Sequence, residues 1–154
     1  MKKLLGTIMV NLTGIRTFQP TEAQGYLTAA KGMFLGAKPL ADISPKPPFA
    51  ITLLCGHTCE ASLKAMLSEA GLNVETLSRA PYGHDILSLW EESKNRGYPL
   101  PAPQPEWVVH LHQVYDRPFH LRYPLGFHGI VLPNQNAMLQ GTESLLSIAV
   151  SAVK

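Results

Sequence analysis

Three ionisable side chains recur at regular spacing in the most apolar helical stretch of the sequence, LLCGHTCEASLKAMLSEAG. They are His57, Glu60 and Lys64. At about 100° per residue, a helix places all three within an arc of roughly 60°. Glu60 and Lys64 have the favourable i,i+4 order of an ion pair, which contributes about 0.2–0.5 kcal/mol when it is exposed. A helix this apolar has little exposed surface, so buried charges on it need partners from elsewhere in the chain.

Candidate partners for these charges occur in two later segments. His84 and Asp85 open a predicted helix, and Arg122 and Tyr123 follow another one. Because a guanidinium can bind a carboxylate through two parallel hydrogen bonds, we expect Arg122 to pair with Glu60 or Asp85. Such a cluster either binds a ligand or is only a structural ion-pair network. The predicted polar cluster comprises His57, Glu60, Lys64, His84, Asp85, Arg122 and Tyr123.

The remaining metal-ligating and nucleophilic residues do not form a convincing site by spacing. Cys55 and Cys59 fall on the side of their helix opposite the three ionisable residues, and we expect buried, reduced thiols, which fits a cytoplasmic protein. His110 and His112 point to different faces of a helix, and Asp116 does not complete a ligand set. We therefore expect no metal, and no cofactor, since no glycine-rich phosphate loop is present in the sequence.

Hydrophobic periodicity predicts a helical architecture. The expected helices lie near residues 21–35, 48–70, 84–96, 106–116 and 135–153. Gly36 and Pro39 are expected to end the first helix, and Pro47 and Pro48 to begin the second. We expect an all-α, up-and-down bundle of about five helices in a single domain over residues 1–154, with 48–70 at its centre. Residues 1–19 would form an N-terminal arm or a short strand.

The composition of the chain narrows its partners. Hydrophobic residues make up 45% of the 154 residues and charged residues 16%, which is typical of a globular chain. The net charge of +2 argues against binding to duplex DNA, for which a strongly basic face is expected. No apolar run is long enough to cross a membrane, so we expect no membrane association.

Three segments together resemble the HEPN superfamily of all-helical domains. They read GHTCEASLKAMLSEAG, then YGHDILSLWEE, then LRYP. The resemblance is to a bacterial branch in which a central helix with the pattern H-x-x-E-x-x-L-K is followed by a helix that opens on G-H-D, and it covers about residues 20–150. It implies a compact bundle, often a homodimer, with roles in defence, toxin–antitoxin or nucleotide-linked systems. A cognate nucleotidyltransferase or antitoxin would then be a partner.

Catalytic HEPN proteins are metal-independent endoribonucleases that use an arginine followed, four to six residues later, by a histidine. By this resemblance, Arg122 and His128 in RYPLGFH would be the catalytic pair. Pro124 and Gly126 interrupt the segment, whereas the family motif begins a helix. We therefore expect first a non-catalytic module that binds a nucleotide, RNA or a partner protein. The alternatives are a metal-independent endoribonuclease and a structural or regulatory interaction protein without a ligand.

Overall fold

The computed structural model describes residues 19–116, 119–122 and 129–154. Within these ranges there are six helices, five of them longer than one turn, and no strand. The helices are α1 Glu22–Asp42, α2 Pro48–Glu69, α3 Val74–Leu77, α4 Ile86–Asn95, α5 Glu106–Tyr115 and α6 Gln135–Ala152. The helices pack in antiparallel fashion, which confirms the predicted all-α bundle.

Helix α2 is the centre of the bundle. It packs against α1, α4, α5 and α6, and Leu63, Met66 and Leu67 on it are fully buried. Pro48 occupies its first turn, where a missing N–H costs no helical hydrogen bond. Gly71 follows its end with φ of 97°, a conformation that favours glycine. The predicted range 48–70 is therefore confirmed to within one residue.

The first helix is longer than predicted. Its start matches the expectation, because Thr21 and Gln24 form a reciprocal capping box. Gly36 and Pro39 do not end it, and α1 continues to Asp42. Helix α1 packs closely against α2, and Gly36 lies beside Leu54 of α2 in this stretch. This packing outweighs the single hydrogen bond that a proline removes near a helix end.

The segment before α4 differs from the prediction in a way that matters for the site. Helix α4 begins at Ile86 rather than at residue 84, and Asp85 is its N-cap, with a side-chain oxygen that accepts from the Ser88 N–H at 2.8 Å. His84 therefore precedes the helix. The one-turn helix α3, capped by Asn73, was not predicted.

The last two helices lie close to their predicted ranges of 106–116 and 135–153. Helix α5 ends at Tyr115 with Asp116 as its C-cap, and Phe119 follows with a positive φ of 62°. The Leu121 N–H donates to the Val114 carbonyl at 3.4 Å, so residues 119–122 lie against the end of α5. No helix within the described ranges is long and apolar enough to cross a membrane. The predicted N-terminal arm, residues 1–19, lies outside the described residues except for its last residue. Tyr123 and His128 also lie outside them.

Candidate functional site

A buried ion pair lies on the central helix. Lys64 Nζ is 2.7 Å from Glu60 Oε1, and the two residues are only 6% and 9% exposed. Two charges this far from water are stable only when hydrogen bonds replace their hydration. The surroundings of Glu60 supply those bonds.

Two further donors reach the second carboxylate oxygen of Glu60. The Tyr115 hydroxyl, at the end of α5, donates to Oε2 at 2.5 Å. His84 Nδ1 lies 3.0 Å from the same oxygen and donates to it, since a carboxylate can only accept. Both Glu60 oxygens are therefore satisfied, one by Lys64 and the other by Tyr115 and His84.

His57 and Arg122 extend this network towards the surface. The Tyr115 hydroxyl has one proton, which it gives to Glu60, so it accepts from His57 Nδ1 at 2.9 Å. The other ring nitrogen, Nε2, then faces Arg122 Nη2 at 3.5 Å. The hydrogen bonds thus run in one direction, from Arg122 through His57 and Tyr115 to the Glu60 carboxylate. We call this set the Glu60 cluster; its members are His57, Glu60, Lys64, His84, Tyr115 and Arg122.

A glycine in α2 makes room for the tyrosine. A Cβ built on Gly56 would overlap the ring of Tyr115. Any larger residue here would push α5 away from α2 and separate the hydroxyl from Glu60. The geometry of the cluster therefore requires glycine at position 56, although Gly56 contributes no polar atom.

The electrostatics of the Glu60 cluster follow from burial and hydrogen bonding together. Burial raises the pKa of Glu60, but hydrogen bonds from His84, Lys64 and Tyr115 outweigh it and leave that pKa below its usual value. Burial also lowers the pKa of His57, and the nearby Arg122 adds to the effect against the attraction of Glu60. Burial, and then the charge of Glu60, raises the pKa of Tyr115, which therefore remains a hydroxyl donor.

A second polar group lies where α4 begins and α5 ends. His112 and Asp116 are one helical turn apart, and Asp85 approaches them as the N-cap of α4. One potential ligand atom from each of the three lies within 4.8 Å of the other two. We call these residues the Asp–His cluster. Sequence spacing did not indicate it, because Asp85 comes from a different helix.

A cleft of about 690 Å³ adjoins both clusters. Its lining includes His84 from the Glu60 cluster, Asp85 and Asp116 from the Asp–His cluster, and the ring of Phe119. The side chain of His84 is 43% exposed, so the network that begins at buried Glu60 reaches solvent here. The volume falls in the usual range of ligand sites.

The structure brings together five of the seven residues predicted to form one polar cluster: His57, Glu60, Lys64, His84 and Arg122. Asp85 instead faces His112, with Oδ1 3.6 Å from Nδ1. The predicted ion pair of Arg122 with Glu60 or Asp85 is wrong, since neither pair forms in the described part of the chain. The Arg122 guanidinium instead lies over the rings of Tyr115 and Phe119.

Sequence reasoning missed two kinds of contributor. Tyr115 is a buried aromatic residue of α5, and its hydroxyl is the link between Glu60 and His57. Gly56 was a usable signal, since a glycine inside a buried helix indicates close approach of another element. Nothing in the local sequence could identify that element as α5.

The cysteines take no part in either cluster. Cys55 and Cys59 are buried on another side of α2, and Cys59 Sγ lies 3.5 Å from the Thr142 hydroxyl of α6. Burial raises the pKa of Cys55 to about 11 and that of Cys59 to about 12, which keeps both thiols protonated and unreactive.

Comparison with protein-family models, with curated proteins and with solved structures finds no match for this chain. The resemblance to the HEPN superfamily accordingly remains an inference from the three sequence segments.

Proposed function

We propose that this protein is a non-catalytic helical module that binds the phosphate of a nucleotide or of RNA beside the cleft, at Arg122, His57 and His84. The observation that carries the proposal is the state of Arg122. Its guanidinium forms no ion pair with a carboxylate among the described residues. A planar cation with unused N–H groups is well suited to a phosphate.

The surroundings hold Arg122 ready for such a ligand. Its Cζ lies 5.8 Å from the centre of the Tyr115 ring and 5.4 Å from that of the Phe119 ring. Stacking on two aromatic faces limits the rotamers of a long side chain, so less conformational entropy is lost on binding. His57 Nε2 on α2 lies 3.5 Å from Arg122 Nη2 and provides a further contact to the guanidinium.

The cleft provides space for the remainder of the ligand. Phe119 and Tyr82 line it, and aromatic faces can stack on a nucleobase. Asp85 and Asp116 also line it and would repel a phosphate. We therefore expect the phosphate next to Arg122 and His84, with the sugar and base extending into the cleft.

Binding assays with adenosine monophosphate, ATP and a short single-stranded RNA, each in EDTA, would test this proposal. Arg122→Ala should weaken binding at least about tenfold, equivalent to about 1.4 kcal/mol. Arg96→Ala is the matched control, because Arg96 is already paired with Glu92 at the far end of α4. Equal loss in both variants, or no binding by the wild type, would refute phosphate recognition at Arg122.

The same RNA samples test the endoribonuclease alternative, in which Arg122 stabilises charge on the phosphate and His128 moves a proton. His128 lies outside the described residues. If the wild type cleaves the RNA and both Arg122→Ala and His128→Ala abolish cleavage, the endoribonuclease alternative is correct and the non-catalytic proposal is wrong.

The resemblance also leads us to expect a homodimer, and a nucleotidyltransferase or antitoxin as partner in a defence or toxin–antitoxin system. If the folded protein binds neither RNA nor nucleotide, the result would favour a structural or regulatory interaction protein without a ligand.

A further inference from the structure

The Asp–His cluster contains a buried nitrogen that its surroundings do not satisfy. His112 Nδ1 is shielded from solvent and has no hydrogen-bond partner in the described part of the chain. The nearby Asp85 Oδ1 is 3.6 Å away, which is too long for a hydrogen bond. A buried polar atom without a partner is costly, and in most proteins a side chain, a water or an ion satisfies it.

We propose that Asp85, His112 and Asp116 form a binding site for one divalent transition-metal ion of the Zn²⁺ or Mn²⁺ type. The site does not depend on phosphate binding at Arg122, because none of the three residues belongs to the Glu60 cluster. It departs from the expectation of no metal, which considered spacing along the chain and so could not include Asp85.

The separation between His112 and Asp85 is close to that between two ligands of one metal ion. Zinc binds histidine nitrogen and carboxylate oxygen at about 2.0–2.2 Å, so two ligand atoms on a tetrahedral ion lie about 3.3–3.6 Å apart. The separation of 3.6 Å between His112 Nδ1 and Asp85 Oδ1 agrees with this value. One ligand atom from each of the three residues lies within 4.8 Å of the other two, so a bound ion would draw the three groups slightly closer together.

The donor set selects the class of ion. One imidazole and two carboxylates suit Zn²⁺ and Mn²⁺, whereas Mg²⁺ prefers oxygen ligands and retains several waters. The two carboxylates balance the charge of a divalent ion. Because Asp85 and Asp116 line the cleft, the remaining coordination positions face it and are open to water or a ligand atom.

Calorimetric titration of the full chain, freed of any histidine tag and stripped with a chelator, would test the proposal. We expect about one Zn²⁺ per chain, weaker binding of Mn²⁺, and Mg²⁺ at least about tenfold weaker again. His112→Gln and Asp116→Asn should each weaken Zn²⁺ binding at least about tenfold, since each removes one of three ligands. His110→Gln is the matched control, because it lies on the same helix and faces Glu106.

Two further measurements keep the outcome clear. Circular dichroism establishes that each variant is folded, and Asp116→Asn, at a helix end, serves if His112→Gln does not fold. Cobalt(II) bound in a tetrahedral site gives strong visible absorption, which should appear in the wild type and in His110→Gln only. Zinc binding that is unchanged in His112→Gln and Asp116→Asn, or no saturable binding, would overturn the proposal. These assays contain no nucleotide, so failure of the metal-site proposal would not contradict the proposal of phosphate binding at Arg122.

Discussion

The two polar clusters beside the cleft differ in how completely their groups are satisfied. In the Glu60 cluster, both carboxylate oxygens accept hydrogen bonds, and the buried Lys64 ammonium is paired. In the Asp–His cluster, a buried histidine nitrogen faces a carboxylate at a distance too long for a hydrogen bond. The first cluster is complete within the folded chain and stabilises it. In the second cluster Asp85 caps α4, but His112 Nδ1 has no hydrogen-bond partner in the described part of the chain.

The two clusters take up residues that are neighbours in the sequence. Asp85 is adjacent to His84 in sequence, yet His84 completes the Glu60 cluster and Asp85 belongs to the Asp–His cluster. Arg122 differs from the other members of the Glu60 cluster. It contacts the cluster through His57, and it forms no ion pair with a carboxylate in the described ranges. Substitutions in the two clusters should therefore differ in their effects on folding.

The largest effect is expected for Glu60→Ala. It leaves the Lys64 ammonium buried without a partner, so unfolding should become easier by about 3–5 kcal/mol in urea titrations. Glu143→Ala is the control, because Glu143 also pairs with a lysine, Lys38, at 2.8 Å, but both side chains are more than half exposed. That exposed pair should contribute about 0–1 kcal/mol. Similar small losses in both variants would show that burial of the Glu60 pair has no energetic consequence.

Tyr115→Phe should have the next largest effect. The ring stays packed on Gly56, while the hydroxyl that links Glu60 and His57 is removed. A hydrogen bond to a charged group contributes about 1.5–3 kcal/mol, and we expect a loss in that range from thermal and urea unfolding. Tyr98→Phe removes a hydroxyl that donates to the Met66 carbonyl at 2.7 Å and should cost only about 1 kcal/mol. A loss no greater than this control would contradict the role assigned to the Tyr115 hydroxyl.

The pH dependence of stability should report on the Glu60 cluster as well. The pKa of Glu60 is lowered in the folded state, so its stabilisation is complete above the ordinary value of about 4.5 and is lost as pH falls through the lower folded value. The pKa of His57 is also lowered, so the unfolded chain takes up a proton first as pH falls below about 6.5, which destabilises the fold. Unfolding free energies measured from pH 7 to pH 3 should fall in both windows.

Glu60→Gln separates the two windows. It removes the acid-labile carboxyl, so stability below about pH 4.5 should fall less steeply than in the wild type. Parallel curves for the two proteins over that range would mean that Glu60 contributes nothing to the acid sensitivity.

The smallest effect on folding is expected for His112→Gln in the absence of metal. His112 Nδ1 makes no hydrogen bond among the described residues, so its removal should change the unfolding free energy by less than about 1 kcal/mol. Added Zn²⁺ should raise the melting temperature of the wild type and not that of this variant, because a ligand that binds only the folded state stabilises it. A large loss without metal would show that the Asp–His cluster is structural like the Glu60 cluster.

The local signals in the sequence were sufficient for most of the helices. The capping box at Thr21, the prolines at the start of α2 and Gly71 after its end act within one turn of chain, so their effect can be predicted without knowing the fold. Gly36 and Pro39 are equally local signals, but the contact of α1 with α2 overrode them. Propensities of about 1 kcal/mol for glycine are smaller than the packing energy of a buried helix face.

The spacing of His57, Glu60 and Lys64 determined that they share one face of a helix, because helical periodicity is fixed by the backbone. Which residues meet them was decided only by the tertiary structure. Tyr115 reaches Glu60 through the gap at Gly56, and the Arg122 guanidinium lies over the Tyr115 ring. Such choices depend on the distance and angle between helices far apart in sequence, and these follow from packing of the whole core.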